Sequence, residues 1–176
     1  MNLLQSLPVL IMFACGPAHA QSAVRVDLNG SIAAGTCTIA AVTKTMPTVP
    51  ASGFPQTAAS NTGIVASYTP FELSLRSCSG VTGATFVFGT TADAEPLQND
   101  SFRNKAANGA AYVAIWVRET AACNSGTTIR PGGTLSRNFT TATLSIPLCA
   151  QYFKMAGGLV TMGPLTTNFT ITVTYR

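Results

Sequence analysis

Five cysteines, one histidine and six carboxylates are the residues of this 176-residue chain equipped for covalent or metal chemistry. Cys15 and His19 stand in an apolar N-terminal stretch, and Cys37, Cys78, Cys123 and Cys149 are separated by gaps of 41, 45 and 26 positions. An all-cysteine zinc site takes its ligands in pairs about two to four residues apart, so these gaps favour disulfides. The carboxylates are Asp27, Glu72, Asp93, Glu95, Asp100 and Glu119. Asp93 and Glu95 stand close enough to be weighed as a glycosidase pair. Their setting, TTADAEP, reads as a solvated turn. A cation site built from Asp93, Glu95 and Asp100 has nothing further behind it. No G-x-S-x-G, P-loop or G-x-G-x-x-G occurs. We expect no enzyme, no cofactor and no metal.

The first 20 residues, MNLLQSLPVLIMFACGPAHA, read as a signal peptide. An apolar run, Val9 to Ala14, leads to Ala18-His19-Ala20, the small-x-small pattern that signal peptidase accepts. Cleavage is expected after Ala20, although no Lys or Arg precedes the apolar run. Lipoprotein processing at Cys15 is the rival, on a poor match to the Leu-rich lipobox. Cleavage removes Cys15 and the lone histidine, leaving four cysteines for an oxidising compartment. Without histidine, Ser-His-Asp and Cys-His catalysis are excluded.

Composition narrows the scaffold that must hold these residues. Hydrophobic residues make up 47% and charged residues only 9%. No apolar stretch reaches the roughly 18 residues of a spanning helix. Ten basic residues against six acidic ones give a net charge of +4. The basic residues are dispersed, so nucleic acid is not an expected partner. Thr, Val and Gly/Pro punctuation favour an all-β domain.

Residues 21–32 alternate, with Val24, Val26, Leu28, Gly30 and Ile32 on one face and Arg25, Asp27, Asn29 and Ser31 on the other. Thr36-Cys37-Thr38-Ile39 reads as a second short stretch. Positions 43–63, rich in Pro and Gly, read as a loop or edge with at most a short strand. Strands are expected at 68–76, 85–89, 112–118 and 139–148, a long loop at 92–110 and a turn region at 124–133. The end, Asn168 to Tyr175, is the clearest strand, with Phe169, Ile171, Val173 and Tyr175 alternating against Asn and Thr. Seven or eight short strands separated by turns suggest a β-sandwich.

Over essentially all of 21–176 the chain resembles single-domain fimbrial subunits of the chaperone–usher, type 1 class. V-D-L-N-G-S-I-A-A-G-T-C-T-I resembles that family's N-terminal extension before the first cysteine. F-E-L-S-L-R-S-C resembles the strand bearing the second. Gly163, fourteenth from the end, and the penultimate Tyr175 match its C-terminal frame, and Ala150-Gln151-Tyr152 resembles the preceding Ala-x-Tyr. The resemblance implies an incomplete immunoglobulin-like β-sandwich lacking its last strand, completed by a donor strand from a neighbouring subunit. It implies a Cys37–Cys78 disulfide. It assigns Val24, Val26, Leu28, Gly30 and Ile32 to the donor face. Gly163, Phe169, Ile171, Val173 and Tyr175 fall to the strand that borders the groove. The expected organisation is a signal peptide at 1–20, a donor extension at 21–33 and a pilin domain at 34–176.

The implied partners are a periplasmic chaperone that lends a strand, an outer-membrane usher, and neighbouring subunits whose extensions displace the chaperone. The expected destination is a fimbrium on the cell surface, supporting adhesion. Four buried apolar donor side chains represent on the order of 6–12 kcal/mol before ordering costs. Cys123 and Cys149 depart from the family pattern; a second disulfide between them is expected, with two buried thiols as the alternative. The 16 residues between the leader and Cys37 suit a tip-proximal adapter as well as a rod subunit. The competing reading is a self-complete secreted β-sandwich that binds a ligand, such as a lectin-like adhesin.

Overall fold

The computed structural model describes residues 35–176. The expected signal peptide and the expected donor extension, with Val24, Val26, Leu28, Gly30 and Ile32, lie outside the described residues. What is described is an immunoglobulin-like β-sandwich of two sheets. Its strands are β1 (Thr36–Ile39), β2 (Thr62–Gly63), β3 (Thr69–Ser79), β4 (Gly83–Phe88), β5 (Ala94–Glu95), β6 (Gln98–Phe102), β7 (Val113–Glu119), β8 (Thr127–Ile129), β9 (Gly133–Asn138), β10 (Leu144–Lys154) and β11 (Ile171–Tyr175). The larger sheet runs β1-β3-β10-β7-β6-β5, with β2 on the end of β10 and β8 on β7. The smaller runs β11-β4-β9. All the pairings are antiparallel.

The core follows from period-two patterning. On β3, Leu73 and Leu75 point inward and are buried, opposite Ile146 and Leu144 of β10. Phe71 stands opposite Leu148 in the same ladder. Val113, Ile115 and Val117 of β7 are buried; Ile115 and Val117 share a core with Phe86 and Phe88 of β4, which are fully buried, while Val113 packs with Phe54 and Ile64. Such facing apolar pairs are what hold two sheets together. Pro147 lies in the half of β10 that has β3 on one side only, because pairing with β7 begins at Cys149. The missing N–H is tolerated there.

Four expected elements come out differently. The loop expected over 92–110 contains β6, whose Ser101 and Phe102 are fully buried. Its single large apolar residue leaves no alternation to read. Of the strand expected at 139–148 only the second half is strand: β9 ends at Asn138, 139–143 form a bend, and β10 begins at Leu144. Polar β9 (GTLSRN) buries only Leu135, and the sequence carries no strand expectation for it. The turn region at 124–133 likewise contains β8. The final strand begins at Ile171, not Asn168, because the β11–β4 ladder starts at Ile171↔Phe88.

The outer face of the larger sheet is also covered. Trp116 packs on Phe153 at 4.6 Å between ring centroids, with the Arg118 guanidinium 4.4 Å above the indole. Lys154 is fully buried at the end of β10. Its ammonium donates to the carbonyls of Gly158 (2.6 Å), Met155 and Ser60. Burial holds its pKa below the ordinary lysine value.

Candidate functional site: a groove beside the last strand

The two sheets do not meet along one side. There β1 and the chain after it, through Met46, face the last strand and its approach, 165–171, across a groove of about 780 Å³. Its floor is the inner face of the larger sheet: Phe71 and Leu73 of β3, Ile115 and Val117 of β7, Ala150 and Tyr152 of β10. The Tyr152 hydroxyl donates to the Pro47 carbonyl at 3.0 Å, and burial raises its pKa. Among the described residues on the lining, Lys44 is the only charged one.

The groove-bordering strand shows what is missing. Phe169, Ile171, Val173 and Tyr175 turn toward the core and pack against it, yet each stays only half-buried, while Asn168, Thr170, Thr172 and Thr174 are exposed. The inward phenylalanines of neighbouring β4 are completely buried. The difference is one of neighbours. β4 has β9 on one side and β11 on the other, whereas β11 pairs with β4 alone among the described strands. Among the described residues its second edge has no ladder partner for its backbone donors and acceptors, and its apolar side chains are only partly covered.

Three ties hold the rim. Cys37 and Cys78 are disulfide-bonded, with Cα atoms 4.1 Å apart, and fasten β1 to the end of β3. β1 needs the tie, because its ladder with β3 is short and interrupted by a register shift. Tyr175 reaches from β11 to β1, its hydroxyl donating to the Cys37 carbonyl at 3.3 Å. Gly163, at φ +157°, lies against the 108–110 turn, where a Cβ would come within 2.6 Å of the Ala110 nitrogen. Only glycine lets the chain pass there before it becomes the groove wall. The second disulfide, Cys123–Cys149, sits away from the groove on the outer face of β10 and pins the loop after β7.

The approach segment is held by residues that sequence reading passed over. The Asn104 side chain accepts from Thr166 N (3.0 Å) and Ala106 N (3.0 Å) and donates to Pro164 O (3.0 Å) and Ala110 O (3.2 Å). The Lys105 ammonium binds Asp93 at 2.7 Å, the Asn168 carbonyl, and Asn168 Oδ1 at 3.0 Å. The ammonium holds the Asp93 carboxyl below the usual carboxylate range, helped by the Thr90 amide. Asp93 is thus committed to an ion pair and a turn. Glu95 accepts from the Leu97 amide. The pair weighed for acid–base work has this structural employment instead. Among the described residues no three His, Cys, Asp or Glu side chains gather to hold a metal, and no helix is long and apolar enough to cross a membrane.

The geometry suits an extended polypeptide: an open sheet edge for main-chain bonds, and an apolar trough for alternate side chains. Comparison with known proteins identifies the family and the fold. A family model described as fimbrial protein matches residues 14–176. A solved structure of a chaperone–usher pilus, concerned with rod uncoiling, is similar at a TM-score of 0.60 and 16% identity, over 92% of this chain and 100% of that one. The P pilus rod subunit PapA is similar at 0.60 and 15% identity, over 80% of this chain and 99% of that one. No curated protein matches the chain.

Proposed function

The chain belongs to the fimbrial protein family and is a structural subunit of a fimbria; from that premise we propose that it polymerises by donor-strand exchange, its groove receiving residues 24–32 of a neighbouring subunit. The observation that carries this reading is the contrast on the smaller sheet. The inward side chains of β11 are half-buried beside an unpaired edge, while those of β4 are sealed. An incoming strand supplies the missing ladder and cover together. Val24, Val26, Leu28 and Ile32 enter the trough, and Gly30 passes where the floor leaves no space for a side chain. Arg25 and Asp27 stay outside.

Before assembly the same groove takes a strand from a periplasmic chaperone, which also holds the Arg176 carboxylate. At the outer-membrane usher the neighbour's extension replaces that strand. The drive is the better filling of the trough, and no nucleotide is consumed. Residues 1–20 serve as the export signal and 34–176 as the pilin domain. Association with other subunits at the cell surface is the outcome, and the reading assigns no catalytic activity.

The experiment is to purify the exported chain and titrate in a peptide of residues 23–33. At about 100 times its Kd the peptide stabilises by about 2.7 kcal/mol, a Tm rise of roughly 5–10 °C. A chain that melts cooperatively, ignores the peptide and is unmoved by deletion of residues 21–30 would be a self-complete sandwich, and the reading would fail.

A further inference from the structure

We propose that Asn104 and Lys105 are positioning residues for the groove, holding its wall at 164–168 in the place a sheet neighbour would hold it and so setting the affinity for an incoming strand. This rests on the strand-accepting reading of the groove.

The ladder between β11 and β4 ends with Gly89 N donating to Thr170 O at 2.8 Å. Upstream of Thr170 no strand among the described residues lies beside the wall, yet its backbone finds partners. The Asn104 amide stands in for a peptide group: its oxygen takes the Thr166 N–H, and its nitrogen gives to the Pro164 carbonyl. Lys105 N donates to Thr166 O at 2.7 Å, completing the imitation of a ladder pair. The Lys105 ammonium then takes the Asn168 carbonyl.

Both side chains are saturated. An asparagine amide has two donor hydrogens and two acceptor sites, and all four are used; an ammonium has three donors, and all three are used. Neither residue can shift without breaking several bonds at once. Phe169, the next wall residue, stacks on Phe102 of β6 at 4.1 Å between centroids. One edge of the wall is therefore bound, by side chains where strands are lacking. Leu165, Phe169 and Ile171 remain presented to the groove.

The test compares the full exported chain with its Asn104→Ala and Lys105→Met variants, binding a labelled peptide of residues 23–33. Lys105→Gln serves as a milder second variant should Lys105→Met fold poorly. We expect each variant to bind about tenfold more weakly, the equivalent of about 1.4 kcal/mol, mainly through faster release, with an unchanged circular dichroism spectrum. Peptides shortened at one end or the other then locate the effect: the one that no longer reaches 165–170 shows no difference between parent and variants. A general loss of structure would weaken all peptides alike, and that result overturns the proposal. So does parental affinity in the variants. If the parent itself ignores the full peptide, the groove reading has failed, and this proposal with it.

Discussion

The Tyr175 hydroxyl donates a hydrogen bond to the Cys37 carbonyl, joining the last strand to the first across 138 positions of sequence. Cys37 is itself bonded to Cys78 on β3. The aromatic side chain at the far end of the last strand is thus anchored, through one carbonyl and one disulfide, to the interior of the larger sheet. The opposite end is held by Asn104 and Lys105. Between these two anchors the wall and the strand keep an unpaired edge facing an apolar floor.

Replacing Tyr175 by Phe removes that hydrogen bond and leaves the ring. We expect a loss of about 1 kcal/mol, read as a Tm lower by roughly 2–4 °C. Tyr175→Ala also removes apolar contact and should cost roughly 2–3 kcal/mol, less than for a sealed core residue because Tyr175 is only half-buried. Equal melting of all three proteins would mean that the tie contributes nothing.

Ile171 and Thr172 are neighbours on β11 with opposite duties, Ile171 lining the groove and Thr172 exposed. Ile171→Lys places a charge in the trough and should lower affinity for the 23–33 peptide on the order of 100-fold. Thr172→Lys should leave it within about twofold. Fluorescence anisotropy measures both. Equal losses from the two variants would contradict the alternate-face assignment.

The two disulfides should differ in consequence more than in worth. Each closes a loop of a few tens of residues, and its removal should cost roughly 3–4 kcal/mol by chain entropy. Replacing Cys37 and Cys78 together by serine frees the β1 rim and should weaken peptide binding as well. Replacing Cys123 and Cys149 together should lower stability and leave binding largely intact. Denaturant melts beside peptide titrations of the two double variants separate these effects.

Acid should loosen the wall in a defined direction. The Asp93 pKa is lowered in the folded chain from its usual 3.8, first by Lys105 and then by the Thr90 amide. The stabilisation is therefore complete above about pH 3.8 and is lost as pH falls through the depressed folded value. Asp93→Asn should be less stable than the parent at neutral pH, and the gap should close below pH 3.8. Melting temperatures of both proteins across that range check this; a constant gap would remove the ion pair from the account.

Much of the sandwich was legible because its strands alternate. β3, β7 and β11 each show large apolar residues at every second position; burial follows that pattern on β3 and β11, whereas β7 is covered on both faces. β6, β8 and β9 were not legible, because their contributions to the core are single residues: Phe102, Ile129 and Leu135. One apolar residue in a polar stretch has no period. Asn104 and Lys105 gave no signal for a related reason. Their partners at 164–168 lie about sixty positions away, and an Asn-Lys dipeptide in a polar loop looks like any solvated turn.

By itself, the sequence determined the all-β class and the alternating face of the last strand. Both are carried by local residue type and spacing. Only the tertiary structure decided which edge is left open. Whether Phe169, Ile171, Val173 and Tyr175 are sealed or half-exposed depends on which strands flank them. Strand order is a property of distant segments brought together by packing, and no local pattern along the chain encodes it.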